Sequence, residues 1–278
     1  MFEQKHYHIA LLTDFGLTDP YVGVMKGVIK SINPAADIID ITHNIQAHNI
    51  AQAAFILKKT YSYFPAGTVF IAVVDPGVGG GRHPIAFKTK NYCFFAPDNG
   101  LLSMIFRKDG ESFKFGAEKI TEAVEITNQD FMLQPVSNTF HGRDIFAPAA
   151  AYCSTGSAMK SFGERISSIR QLDIPPVTLS DSRTITGSVV YADHFGNLIT
   201  NIDTEYIQAL SKKLKKELRG IKIGDHTIDR LNKCYEESTQ GEILAIISSY
   251  DTLEISINCG RADDLITGWK DLPVEVKF

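Results

Sequence analysis

The stretch VVDPGVGGGRHPIAF, residues 73–87, ends an apolar run with an aspartate, a proline and four glycines, then adds an arginine and a histidine. Glycine loses more backbone freedom on ordering than any other residue. A loop that needed only rigidity would use proline instead. Asp75 and Arg82 can meet across this loop and hold a polar group between them; the same pair can also serve as a structural ion pair that pins the loop. Three other places concentrate polar side chains among glycines. Asp14 follows an apolar run, so its carboxylate falls at the strand edge where open α/β sheets bind ligands. There it can accept both hydroxyls of a ribose, or act as a helix cap or turn residue. His141 precedes Gly142 and a helical pattern, and a neutral imidazole suits a helix N-terminus because the dipole disfavours its protonation. A histidine satisfied by local backbone fits the same position, and Arg143 and Asp144 read as a local salt link. Asp193 and Asn197 bracket a turn through Gly196. The asparagine amide offers both a donor and an acceptor, which suits the edge of an adenine or an amino-acid head group, or an Asx turn between two strands.

The elements that must position these residues alternate in the first half of the chain. Residues 8–13, 37–42 and 68–74 read as strands, and 20–32 and 49–63 as helices, with Asp19 as a cap and Pro20 at the first helical position, where proline is tolerated. This β-α-β-α-β order implies a mainly parallel sheet covered by helices. Further strands are expected at 85–88 and 92–95, and helices at 101–106 and after Gly142. Pro175 and Pro176 mark a linker. Beyond it, short strand-like runs at 184–191, 221–228, 242–248, 253–257 and 274–278 surround one helix, 204–218. They suggest a small β domain, for which a barrel is one arrangement. The expected division is residues 1–170 as an α/β domain, 171–183 as a linker and 184–278 as a β domain.

Composition narrows the function classes. The chain has 278 residues, 44% hydrophobic and 22% charged, with a net charge of −4. That balance supplies no basic footprint for nucleic acid. The N-terminal sequence is too briefly apolar for a signal peptide or membrane span, so a cytoplasmic protein without membrane or nucleic-acid partners is expected. Cys93, Cys153, Cys234 and Cys259 form no CxxC pair, which favours buried free thiols over a zinc cluster or disulfide framework. His43, His48 and His83 have no metal-ligand spacing to nearby carboxylates, so no metal is expected. Neither GxGxxG nor GxxxxGK followed by Ser or Thr occurs, which removes the usual phosphate cradles. Asp98 and Asn99 in FAPDNG suit a turn or a wall of a site, and Trp269 suits an anchor for the terminal strands.

In order along the chain, TDFG, VVDPGVGGGR, FAPDNG, TFHGRDIFAPAAA, DHFGN and LEISINCGRA resemble the motifs of the adenosine-forming S-adenosyl-L-methionine (SAM) hydrolases. These are also called SAM hydroxide adenosyltransferases and are relatives of the fluorinases and chlorinases. The resemblance covers nearly the whole chain. It implies an N-terminal α/β domain and a C-terminal β-barrel domain, and a homotrimer with each site between subunits. It also implies hydrolysis of SAM to adenosine and L-methionine by in-line attack of water on the ribose C5′, with SAM as substrate and no cofactor. It assigns Asp75, Arg82 and His141 to catalysis, Asp14 to the ribose, Asp193 and Asn197 to SAM binding, and Ser249 to the methionine part. The halogenating relatives replace the Asp-Arg-His set, which this sequence keeps. A SAM-dependent halogenase and a non-catalytic SAM or adenosine sensor are the rival readings.

Overall fold

A computed structural model describes residues 8–105, 120–173, 175–180 and 183–278. The chain divides into two units, Met1–Leu172 and Asp173–Phe278. The first contains β1 (His8–Thr13), α1 (Tyr21–Ile32), β2 (Asp37–Thr42), α2 (Ile50–Thr60), β3 (Val69–Val73), β4 (Pro84–Lys88), β5 (Cys93–Pro97), β6 (Glu122–Glu125) and α3 (Ala147–Ser154). Strand side chains alternate between faces, and both faces of this sheet are covered. Ile9, Leu11, Val69, Ile71 and Val73 pack with Met25 and Ile29 of α1 and Ala149 and Ala150 of α3. Ala10, Leu12, Phe70, Ala72 and Val74 pack on the opposite side with Ala53 and Leu57 of α2. This explains why β1 and β3 read as unbroken apolar runs rather than alternating ones. Each large side chain buried in this way contributes roughly 1.5–3 kcal/mol.

The strand order is β2-β1-β3-β5-β4-β6. Strands β2, β1, β3 and β5 run parallel to one another, whereas β4 is antiparallel to both β5 and β6. The sheet is therefore mixed, and the expectation of a mainly parallel sheet holds only for those four strands. The reason is connection length: the few residues between β4 and β5 can close a hairpin but not a parallel crossover. Local boundaries also shift. Pro20, not Asp19, occupies the cap position of α1, while Asn49 caps α2 by accepting from the Gln52 amide at 3.0 Å. The helix expected at 101–106 is a pair of turns through Ile105, closed by Ser103 N–H to Gly100 O and Ile105 N–H to Leu102 O. The Ser103 hydroxyl also donates to Gly100 O at 2.6 Å. Phe106 lies outside the described residues.

The second unit contains β7 (Thr178–Ser180), β8 (Thr184–Ala192), β9 (Leu198–Asp203), α4 (Thr204–Leu214), β10 (Gly220–Ile223), β11 (His226–Ile228), β12 (Leu231–Asn232), β13 (Ile243–Ile247), β14 (Thr252–Ile257), α5 (Ala262–Leu265) and β15 (Pro273–Lys277). Its sheet runs β11-β10-β15-β8-β9-β14-β13-β12, with β7 added on β8. It curls into a nearly closed, barrel-like form around Val189, Leu198, Ile221, Leu253, Ile255 and Val274, and Trp269 packs against that core. Strand β7 falls within the stretch expected to be a linker. Helix α4 stops at Lys215, which is left-handed with φ 52°, so it is shorter than the expected 204–218. Among the described residues no helix is long and apolar enough to cross a membrane. Cys93 and Cys153 are partly buried, but Cys234 and Cys259 are exposed, which corrects the expectation of four buried thiols.

Candidate active site

The carboxyl edge of the first sheet carries the loop that leaves β3. Two successive turns, Val78 N–H to Asp75 O and Gly80 N–H to Gly77 O, fold it back on itself. This return brings Arg82 onto Asp75. Arg82 Nε donates to Asp75 Oδ1 and Oδ2 at 3.0 and 2.9 Å, and Nη2 also donates to Oδ2. Both side chains are at most 5% exposed. The guanidinium lies 5.7 Å from the centroid of the Phe146 ring. At the start of the loop, Asn99 Nδ2 donates to Val74 O at 2.8 Å, which fixes the peptide that leads into Asp75.

Arg82 Nη2 also lies 2.6 Å from His141 Nδ1. Arginine has no acceptor, so this bond requires an unprotonated Nδ1 and leaves the ring proton on Nε2. Burial pushes the His141 imidazole below its ordinary range, and the charge of Arg82 adds to the effect. The three side chains therefore form one chain of contacts, Asp75–Arg82–His141, with the guanidinium in the middle.

Two loops must meet to build it, and Gly79 shows how closely they do. Its φ is +75°, and a Cβ there would stand 2.2 Å from Asn138 O. Only glycine satisfies both conditions. On the other side of the meeting, Gly142–Phe146 form a π-helical turn that leads into α3. Ala147 N–H bonds Gly142 O, and Pro148, lacking an N–H, leaves the Asp144 carbonyl free to accept from Leu133 N–H at 2.8 Å. The Asp144 carboxylate is wholly buried. It accepts from Arg143 Nε and Nη2 at 2.6 and 3.0 Å and from Ser137 N–H at 2.8 Å. Arg143 and Asp144 thus hold the 137–141 loop in place.

Asp14 lies at the same sheet edge. Thr13 pairs with Val73, so the residues that follow β1 and β3 leave the sheet side by side. Asp14 is half-buried, and its Oδ2 accepts from the His48 amide at 2.9 Å. In the second unit, Asp193 and Asn197 are bound to each other. Asp193 Oδ1 accepts from Phe195 N–H and Asn197 N–H, both at 2.9 Å, and Oδ2 accepts from Asn197 Nδ2 at 3.0 Å. The turn tip, Phe195, is 71% exposed. Ser249 is an exposed residue of the turn between β13 and β14. The structure therefore joins Asp75, Arg82 and His141 by direct contacts, sets Asp14 on their sheet edge, and pairs Asp193 with Asn197. Three contributors carry no mark of these roles in the sequence: Gly79 as a contact residue, Asn99 as a support for Asp75, and His43. Among the described residues no group of three or more His, Cys, Asp or Glu side chains could hold a metal ion.

Fold and site together define the class: an α/β unit with a part-buried carboxylate–guanidinium–imidazole cluster at its sheet edge, followed by a barrel-like β unit. The chain belongs to the SAM hydroxide adenosyltransferase family, matching the family's N-terminal domain over residues 9–163 and its C-terminal domain over residues 187–268. It is 33% identical to the (R)-S-adenosyl-L-methionine hydrolase of Salinispora tropica over 93% of each chain. It is 26% identical to a fluorinase of Actinopolyspora mzabensis, over 72% of this chain and 73% of that one. A crystal structure of an uncharacterized conserved protein from Thermotoga maritima superposes with a TM-score of 0.84 at 36% identity, covering 97% of this chain and all of that one.

Proposed function

We propose that this protein hydrolyses SAM to adenosine and L-methionine by attack of water on the ribose C5′. The observation that carries the reading is the part-buried Asp75–Arg82–His141 cluster, in a chain that matches both domains of the family. The leaving group is a neutral thioether and needs no proton, so the chemistry must be spent on the nucleophile. Asp75 Oδ1 accepts only one bond from Arg82, whereas Oδ2 accepts two, so Oδ1 keeps the lone pair that accepts from water. His141, with its proton on Nε2, donates to the oxygen of that water and stabilises hydroxide character as it develops. Arg82 fixes both partners with one guanidinium. The water's proton passes to Asp75 and then to solvent, which balances the loss of the sulfonium charge. Positioning of this kind supplies up to roughly 7–11 kcal/mol of a barrier, and proton transfer to a placed base about 10²–10⁴-fold in rate.

Asp14 accepts the ribose hydroxyls, Asp193 and Asn197 bind SAM, and Ser249 contacts the methionine part. SAM is the substrate and no cofactor takes part. Residues 1–170 form the catalytic domain and 184–278 the barrel domain, with 171–183 between them, and the protein works in the cytoplasm. The active assembly is a homotrimer in which one subunit's Asp14 and Asp75 face a neighbour's Asp193. The family likeness supports this, as do exposed apolar residues beside both half-sites: Leu17, Tyr21 and Val24 near Asp14, and Phe195 in the Asp193 turn. Such exposed patches mark interaction surfaces.

The test is product analysis by mass spectrometry in ¹⁸O-labelled water. We expect one labelled oxygen in the adenosine and none in the methionine, with no 5′-halogenated nucleoside when chloride or fluoride is added. A halogenated product would transfer the chain to the fluorinase side of the family. Tight SAM binding without product over hours would make it a sensor.

A further inference from the structure

Asp14 is bracketed by residues that all lead to one buried histidine. His43 follows β2 and is 3% exposed. Its carbonyl accepts from Gly16 N–H at 2.8 Å. Its ring Nδ1 lies 2.8 Å from Thr13 Oγ1, and that same oxygen accepts from Phe15 N–H at 3.3 Å. The residue before Asp14 and the two after it are therefore tied, directly or through the Thr13 hydroxyl, to His43. On its far side the ring Nε2 stands 3.1 Å from Asp40 Oδ1, an ion-pair contact not aligned as a hydrogen bond, and Asp40 Oδ2 accepts from Lys26 Nζ at 2.6 Å. Burial works to raise the Asp40 carboxyl, but Lys26 and His43 outweigh it and hold it below its usual range. An ionised Asp40 draws the ring proton to Nε2. Nδ1 is then an acceptor, the Thr13 hydroxyl donates to it, and the Thr13 lone pairs are left for the Phe15 amide. The hydrogen bonds Lys26–Asp40 and His43–Thr13–Phe15 thus each have one direction of donation, and the contact that joins them, Asp40 to His43, is electrostatic.

We infer that His43 is a positioning residue for substrate: by clamping Thr13, Phe15 and Gly16 it aims the Asp14 carboxylate at the ribose diol. The inference rests on the reading of Asp14 as the ribose-binding residue. The residues around an acceptor set its direction, and a small misaim at one carboxylate weakens the bonds it makes to a diol.

The experiment measures SAM kinetics together with calorimetric binding of adenosine and 2′-deoxyadenosine, for the parent protein and for Asp14→Ala, His43→Leu, His43→Asn and Thr13→Val. In His43→Leu the KM for SAM should rise about tenfold with kcat within about threefold, and the preference for adenosine over 2′-deoxyadenosine should shrink by a similar factor. His43→Asn, whose side-chain oxygen can still accept from Thr13, should recover most of both. Thr13→Val should repeat the His43→Leu result, and the two changes together should be no worse than one. A merely structural histidine would lower the melting temperature and leave the nucleoside preference as it was. An unchanged preference in His43→Leu or Thr13→Val, while Asp14→Ala abolishes it, would overturn the inference and leave the ribose assignment standing. An unchanged preference in Asp14→Ala would overturn both. If His43→Leu does not fold, His43→Asn and Thr13→Val decide the matter by the same readout.

Discussion

The polar residues of the two units are assembled in opposite ways. In the first unit Asp75, Arg82 and His141 come from two loops, with Arg82 and His141 59 residues apart, and the Asp75 and Arg82 side chains are at most 5% exposed. In the second, Asp193 and Asn197 lie four residues apart and bond one another within a single turn whose tip, Phe195, is exposed. A cluster built from distant segments can be dry and rigid, which is what stabilisation of developing charge needs. A local turn offers its free edges to whatever approaches, which suits recognition. The difference separates a set that acts in the transition state from one that binds substrate in every state, and kinetics distinguishes the two.

The largest expected effect is at Asp75. Asp75→Ala should lower kcat by about 10³-fold or more while SAM affinity by calorimetry stays within a few-fold. Parent-like turnover would remove Asp75 from the chemistry. Gly79→Ala comes next, because its methyl would collide with Asn138 O and push apart the loops that carry Arg82 and His141. We expect a loss of about 10² in kcat. Gly81→Ala, whose added carbon meets nothing within 4 Å, should behave like the parent, and equal losses in both would show that loop flexibility, not close approach, matters. Asp193→Ala should chiefly raise KM, by about tenfold, with kcat nearly kept. If sites are shared between subunits, co-expressed Asp75→Ala and Asp193→Ala chains should regain turnover at low SAM concentration, with a parent-like KM that neither chain shows alone.

The smallest effect concerns pH. Protonation of His141 would place an N–H against the Arg82 guanidinium. Its imidazole is held below the ordinary 6.5 by burial first and Arg82 second. The acid limb of kcat should therefore have its midpoint below pH 6.5 and not at it. The same depression means that the unfolded chain binds the proton more readily, so this group's contribution to stability is complete above pH 6.5 and declines as pH falls below it. A limb at or above 6.5 would contradict the neutral, Arg82-bonded imidazole.

Much of this architecture is legible in the sequence where the signal is local. β1, β2, β3, α1 and α2 announce themselves through apolar runs and helical spacing. β6 does not: EAVE is four residues with a glutamate at each end, and only pairing with β4 makes it a strand. The direction of β4 depends on how far the chain must travel to β5, a property of connection length that composition hides. At the site, residue type was readable but convergence was not. The glycines of the 75–82 loop suggested an unusual backbone, yet the contact that requires Gly79 lies on a carbonyl 59 residues away in sequence. The π-helical turn before α3 follows from Pro148 and the hydrogen bond its ring cannot make. Metal-ligand spacing carries no signal for His43, whose ring contacts are a hydroxyl and a single carboxylate. The useful signal was its place just after β2, beside the turn that carries Asp14.

The most direct measurement is a crystal structure of the Asp75→Asn variant with SAM bound. The account predicts one ordered solvent oxygen within hydrogen-bonding distance of the side chain at position 75 and of His141 Nε2, opposite the sulfur and in line with C5′. A bound SAM whose C5′ faces away from these side chains, or a site with no solvent oxygen between them, would contradict it.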